Sequence, residues 1–396
     1  MAGHRGGRWD SLSVGLDPNT TGRFHLTDGV FHAGSQVIGG QGAGTFRQSR
    51  GWNFATFLQL GAGPGGSGIY DLSSGTIVVA PPGGAAVYPG APAPPPGTPG
   101  GIYVGGEGSG ALHLGGNGHG GGGSIIQPRG PNSPRPVAPA TPGGPPATPL
   151  QPSLVVRNAP DGSGLIRGFG SAIGDGGTFE NNGQVIADAG GGQFRSLIFL
   201  GYGAVTSTIE NGPGGHNGWF ARGGGRLVLP KIVTAPGTHT YTWGEDALDP
   251  TLDLVNSARI TLYDAQNPAK LDISLMDKTR PEVPSLPKGH TFIGVWSMDT
   301  GIARPAGADL AVRYDDGLAA QLGLNEASLK LWRYDATTAQ WQRINDGSFA
   351  RDMENNILSG HAEGPTSFFA VSAPEPSALG VLAIAGAAAL RRRRRA

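Results

Sequence analysis

The chain has 396 residues, room for two or three domains, and its 29 basic and 29 acidic residues leave no net charge. It has no Cys, which excludes disulfides, thiol catalysis and Cys-ligated metals but does not argue against export. Gly (71) and Pro (33) make up about a quarter of the chain, a mixture that reads as disorder unless it is periodic. Without the five arginines at 391–395, the 29 basic residues fall to 24 against 29 acidic ones. The body is then mildly acidic, with no basic face for nucleic acid.

The opening, MAGHRGGRWDSLSVG, has no apolar signal-peptide core. The chain runs almost at once into a repeat, so the true N-terminus is expected to lie upstream.

Periodicity appears in four gapless segments. They are GRFHLTDGVF from Gly22, GTFRQSRGWN from Gly44, GIYDLSSGTI from Gly68 and GALHLGGNGH from Gly110. An apolar-Gly pair precedes each: Val14-Gly15, Ile38-Gly39, Leu60-Gly61 and Val104-Gly105. Alternation such as Phe24/Leu26 and Tyr70/Leu72 turns one side of a strand inward. Gly at the corners permits positive φ. One such rung cannot bury its apolar face alone, whereas stacked rungs can. The expectation is an all-β chain that begins as a Gly-rich parallel β-solenoid over 1–79, with a further rung at 102–126. The other reading of the tract is Gly-rich disorder.

Two Pro-rich segments interrupt it, at 80–101 and 127–152. Pro at this density excludes central strands and favours extended, solvated chain. Both read as excursions between rungs, and they put the continuity of the stack in question. Short strand-like runs with Gly and Asn turns resume over 153–248, an irregular continuation of the solenoid. From 249 to 373 Gly thins out and longer alternating strands appear, implying an antiparallel β-sandwich. Its core or hairpin aromatics are Trp296, Trp332, Trp341, Phe368 and Phe369. LKLWRYDATTAQWQRI reads as a hairpin, and Asp316 as the cap of one short helix.

Residues 374–396 form a tripartite tail. Pro374, Glu375 and Pro376 disfavour helix and make an extended, accessible segment. The uncharged run at 377–390 spans about 21 Å as a helix, and snorkelling arginines help it cross the bilayer core of about 30 Å. Arg391, Arg392, Arg393, Arg394 and Arg395 bind the anionic cytoplasmic leaflet and stay inside, so the body is expected outside. A core or amphipathic helix with a basic end is the competing reading. The run lacks a polar face at helical period.

The tail resembles the PEP-CTERM sorting signal of exopolysaccharide-producing Gram-negative bacteria, a segment also called the ice-binding protein C-terminal domain. The resemblance implies recognition and removal by a membrane exosortase. Looser similarity extends over most of the chain. The repeats resemble autotransporter-like repeats of PEP-CTERM proteins, and DLAVRYDDGLAAQLGLNEASLKLWRYD with its sequel to SFFAVSAPEP is similar to their pre-tail domain. Ice binding needs a flat array of regularly spaced Thr, and the rungs have none.

Candidate chemistry is sparse. Glu245, Asp246, Asp249 and Asp253 could supply oxygens to Ca²⁺ or could be a polar linker; their spacing is not that of an EF-hand. No catalytic residue, metal ligand or cofactor site is assigned. Asp315-Asp316 reads as a turn and cap. Asp17, Asp28, Asp71 and Glu107 do not recur at one rung position. His25 and His113 do match in position, but Arg47 and Asp71 stand between them, so no ladder is sustained and these side chains read as ordinary surface residues.

The leading expectation is therefore a non-enzymatic protein of the cell envelope or extracellular matrix. It is transiently anchored by the tail helix, with exosortase, the bacterial membrane and exopolysaccharide as partners and a structural or adhesive role in biofilm. The alternatives are a carbohydrate-binding protein using Trp52 or Trp219 and a β-helix polysaccharide-degrading enzyme.

Overall fold

The computed structural model describes residues 8–375, apart from 80–100, 116–122, 128–152, 207–216 and shorter internal stretches. Apart from one short α-helix and a 3-10 turn, the regular elements among the described residues are all strands.

As far as Val228 the strands pair in parallel along three tracks, with one antiparallel exception, Asn158–Ala159 beside Gly162–Gly168. The first track holds Thr21–Leu26, Ala43–Gln48, Ser67–Leu72, Ser109–Leu114, Gly162–Gly168, Gln184–Asp188 and Gly218–Arg222. The second runs from the start of Val30–Ile38 through Trp52–Ala55, Thr76–Val79, Gly123–Gln127, Gly170–Gly174 and Arg195–Leu200 to Gly225–Val228. The third runs from Arg8–Val14 and the end of Val30–Ile38 through Phe57–Leu60, Gly101–Val104, Ser153–Val156 and Thr178–Asn181 to Ala204–Thr206. The chain visits the three tracks in turn.

The repeat glycines are direct register partners: Gly22 with Gly44, Gly44 with Gly68, and Gly68 with Gly110. Register also continues across both Pro-rich segments. Thr76–Val79 pairs with Gly123–Gln127, and Gly101–Val104 with Ser153–Val156. The interiors of the two segments lie outside the described residues.

Alternation does the packing. One inward column on the first track reads Phe24, Phe46, Tyr70, Leu112, Ile166, Val185, Trp219. All but Phe24 are fully buried. The rings of Phe46 and Tyr70 stack at 4.5 Å and 12°. Each such side chain contributes about 1.5–3 kcal/mol on burial. The four apolar-Gly pairs are the corners that lead into the first track, and Gly15, Gly39, Gly61 and Gly105 all have φ between 67° and 84°.

Beyond Val228 the pairing is antiparallel. Gly225–Val228 meets Lys270–Met276, which leads through His290–Asp299 and Thr366–Pro374 to the Lys330–Asp335/Gln340–Arg343 hairpin. A second layer runs Gly237–Trp243, Ala258–Ala265, Gly307–Arg313, Ile357–Glu363, Ala350–Asp352. Ile260, Leu310 and Leu358 of this layer share one buried cluster with Ile273, Trp296 and Phe369 of the other.

Two expectations are corrected. Antiparallel pairing begins well before 249: Gly225–Val228 and Ile232–Val233 already pair with Lys270–Met276, and Gly237–Trp243, whose GTHTYTW alternates as a strand although it sits in a Gly-containing stretch, pairs with Ala258–Ala265. The helix Asp316–Gln321 is capped by Asp315, whose carboxylate accepts from the Leu318 amide at 2.7 Å; Asp316 is already its first residue.

Candidate functional site

The described fold ends at Pro374 and Glu375. Pro374 closes the last strand, opposite His290, and the Glu375 amide donates to the Gly289 carbonyl at 2.9 Å. Both residues are exposed, whereas Ala370, Val371, Ser372 and Ala373 just before them are buried. Pro374 lacks an amide hydrogen, so a ladder partner is lost where the strand stops. Pro376, the run at 377–390 and Arg391 to Arg395 lie outside the described residues. Among the described residues no helix is long and apolar enough to cross a membrane.

The outward positions of the first track carry one acidic side chain between basic-type neighbours. His25, Arg47, Asp71, His113 and Arg167 are consecutive register partners. Asp71 sits between its neighbours, 2.8 Å from His113 Nδ1 and 3.3 Å from Arg47 Nε. The hydrogen bond from His113, with a smaller contribution from Arg47, holds the Asp71 carboxyl below the usual carboxylate range against the opposing effect of burial. Matching His alone fails to show this column, because its logic is charge complementarity between rungs.

The second track carries outward aromatics. Trp52 is 46% exposed; its ring lies 6.1 Å from Phe54 at 15°, and Phe54 lies 6.1 Å from His32 at 17°. Trp219 is not an exposed counterpart. It is fully buried, edge-on to Phe179 at 5.5 Å and to Trp243 at 6.0 Å, where the parallel tracks meet the antiparallel layers.

The described members of the acidic run do not gather as a cation site. Glu245 is 4% exposed, Asp246 pairs with Arg259 at 3.2 Å, and Asp253 lies outside the described residues. No group of three metal-ligating side chains occurs among the described residues.

A concave polar site does occur, on the outer face of the second antiparallel layer. Register places two rows side by side across three strands: Thr261, Asp309, His361 and Arg259, Ala311, Ser359. The small Ala311 leaves a depression between Arg259 and Ser359, part of a groove of about 330 Å³ with Leu248 on its wall. The turn bearing Leu248 is fixed by Arg313, which is 2% exposed. The Arg313 guanidinium donates to the carbonyls of Ala247 (3.3 Å), Asp249 (2.9 Å) and Asn355 (2.7 Å). Asp309 accepts from the Tyr263 hydroxyl and lies 2.7 Å from His361 Nδ1. The bond to Asp309 raises the Tyr263 pKa, since the neighbouring carboxylate disfavours a phenolate. A side chain at Gly307 would come within 3.1 Å of His361 Cε1 and Nε2, so the imidazole leans away from the Ser359 row. The Ser, His and Asp here are therefore not arranged to activate a nucleophile.

No protein-family model, curated protein or solved structure matches the chain.

Proposed function

We propose that the protein is a non-enzymatic, exported component of the cell surface or extracellular matrix. A parallel β-solenoid is displayed outside, an antiparallel β-sandwich follows it, and the tail is recognised and cleaved by an exosortase. The apolar run at 377–390 anchors the chain transiently, and Arg391 to Arg395 remain on the cytoplasmic side. The role is structural or adhesive within exopolysaccharide.

The observation that carries this reading is the position of Pro374 and Glu375, exposed at the terminus of the last strand. A processing enzyme can reach a motif at that point without unfolding the body. The stacked tracks support a display role, since they hold outward side chains at fixed spacing along the stack.

The test is intact mass spectrometry of the native protein from cell-surface and medium fractions of its host. The expected species has lost the tail at or near Pro374, Glu375 and Pro376. An intact chain ending in the five arginines, found only inside the cell, overturns the reading. Carbohydrate binding is a second reading, favoured by the exposed ring of Trp52 beside Phe54 and His32.

A further inference from the structure

We infer that the groove on the outer face of the second antiparallel layer is a binding site for a neutral, polyhydroxylated ligand, namely a terminal or side-chain sugar residue of a glycan. The site deepens the matrix reading, but it stands on geometry that does not involve the tail or the aromatic group on the second track.

The argument begins with shape. At about 330 Å³ the groove is at the small end of the range for small-molecule sites. Its floor lies on three strands of a rigid sheet, and its wall is a turn pinned by a buried guanidinium with three carbonyl partners. A site built on strands with a braced wall is preorganised, which lowers the entropic cost of binding.

Charge decides the class of ligand. Asp309 is held by Tyr263 and His361, and Arg259 by Asp246. Each charged group is already hydrogen-bonded within the protein. An ionic ligand gains only by competing with one of these pairs, so the groove does not select for net charge. What it presents is a mixture: carboxylate oxygens that accept, guanidinium N–H groups that donate, and the hydroxyls of Thr261 and Ser359 that do both. Leu248 and Ala311 supply apolar surface beside them. A sugar ring, with vicinal hydroxyls around a C–H face, matches that mixture. A purely apolar ligand leaves the polar groups unpaired.

The experiment is saturation-transfer NMR and calorimetric titration of the full chain with methyl glucoside, methyl galactoside and methyl mannoside, with glucuronate as the charged comparison. Variants are Ala311→Leu, which fills the depression, Asp309→Asn and Ser359→Val. Near-ultraviolet circular dichroism checks that each keeps its fold. Trp52→Ala reports on the aromatic alternative. The expected result is saturable binding of at least one neutral glycoside, weakened about tenfold or more by Ala311→Leu and by at least one polar variant, and unchanged by Trp52→Ala. Absence of saturable binding to all three neutral glycosides overturns the inference, as does binding that survives Ala311→Leu, binding lost only in Trp52→Ala, or binding of glucuronate alone. These titrations use purified protein, so their failure leaves the sorting test untouched, and failure of the sorting test leaves them untouched.

Discussion

At the scale of single residues, the least expected feature is polar. Gln36, Gln48, Asn53 and Tyr70 are fully buried between the tracks, and they satisfy one another. Asn53 Nδ2 donates to Gln36 Oε1 at 3.0 Å and to the Tyr70 hydroxyl at 2.8 Å, and that hydroxyl donates to Gln48 Oε1 at 2.6 Å. Gln48 Nε2 donates to the Gly51 carbonyl at 2.9 Å. A saturated network of this kind ties three tracks together and penalises a slip between turns. Tyr70→Phe removes the shared hydroxyl and leaves an amide donor and an amide acceptor buried, at a cost of about 2–4 kcal/mol. Urea unfolding should show a lowered midpoint at unchanged slope; no loss would mean that the network contributes nothing to stability. Outside the stack, Asp71 sets a pH dependence. Its folded pKa is depressed, so its stabilisation is present above the ordinary carboxylate pKa of about 4 and disappears as pH falls through the lower folded value. Asp71→Asn should therefore be less stable than wild type at neutral pH, and the gap should close on acidification below about pH 4. A gap that is constant with pH would refute an ion-pair role.

At the scale of elements, the corner glycines separate two causes of Gly preference. Gly61 (φ 67°) and Gly65 (φ 72°) have nearly the same backbone conformation. A Cβ at Gly61 would lie 2.2 Å from the Ser109 carbonyl oxygen of the next turn, whereas a Cβ at Gly65 meets nothing within 4 Å. Gly65→Ala should cost only the left-handed penalty, about 1–2 kcal/mol. Gly61→Ala should cost more than about 4 kcal/mol, because the turns must part. Thermal unfolding of the two variants compares them directly, and equal costs would show that stacking does not constrain the corner. These corners were legible in the sequence, since Val14-Gly15, Ile38-Gly39, Leu60-Gly61 and Val104-Gly105 mark them and the Gly22, Gly44, Gly68 and Gly110 alignment is the register itself. The inward column was legible only in part. Extended past Leu112 to Ile166 and Val185, it reaches Trp219 and assigns that ring to the interior, but the spacing from Gly110 to Gly164 hides the step under a Pro-rich segment. The groove was not legible at all. Its rows come from strands about fifty residues apart, and no local pattern joins Thr261, Asp309 and His361.

For the whole molecule, the question is whether the parallel and antiparallel halves are one cooperative unit. One buried cluster runs without a break from Leu26 and Phe46 to Trp296 and Phe369. Trp219 stands where the halves join: its amide donates to the Val255 carbonyl at 3.0 Å, and its carbonyl accepts from Asn256 Nδ2 at 2.8 Å. Trp243, packed against it, donates from Nε1 to the Ile273 carbonyl at 2.9 Å. Arg280, 6% exposed, reaches from the antiparallel half to the carbonyls of Gly224 (2.8 Å) and Arg195 (3.0 Å) on the last parallel turn. It also pairs with Glu282, whose pKa it lowers. The antiparallel half thus covers the apolar end of the stack, the task a capping unit performs in repeat proteins. Trp219→Ala leaves a cavity at this joint and should cost about 3–5 kcal/mol. If the joint carries the cooperativity, the loss should be uneven. In hydrogen exchange followed by mass spectrometry, wild-type strands Thr178–Asn181 and Thr366–Pro374 should open with the same free energy, whereas in Trp219→Ala the parallel strand should open first. If both strands lose protection equally, Trp219 contributes stability without coupling the halves, and the buried contacts of Arg280 then carry the joint.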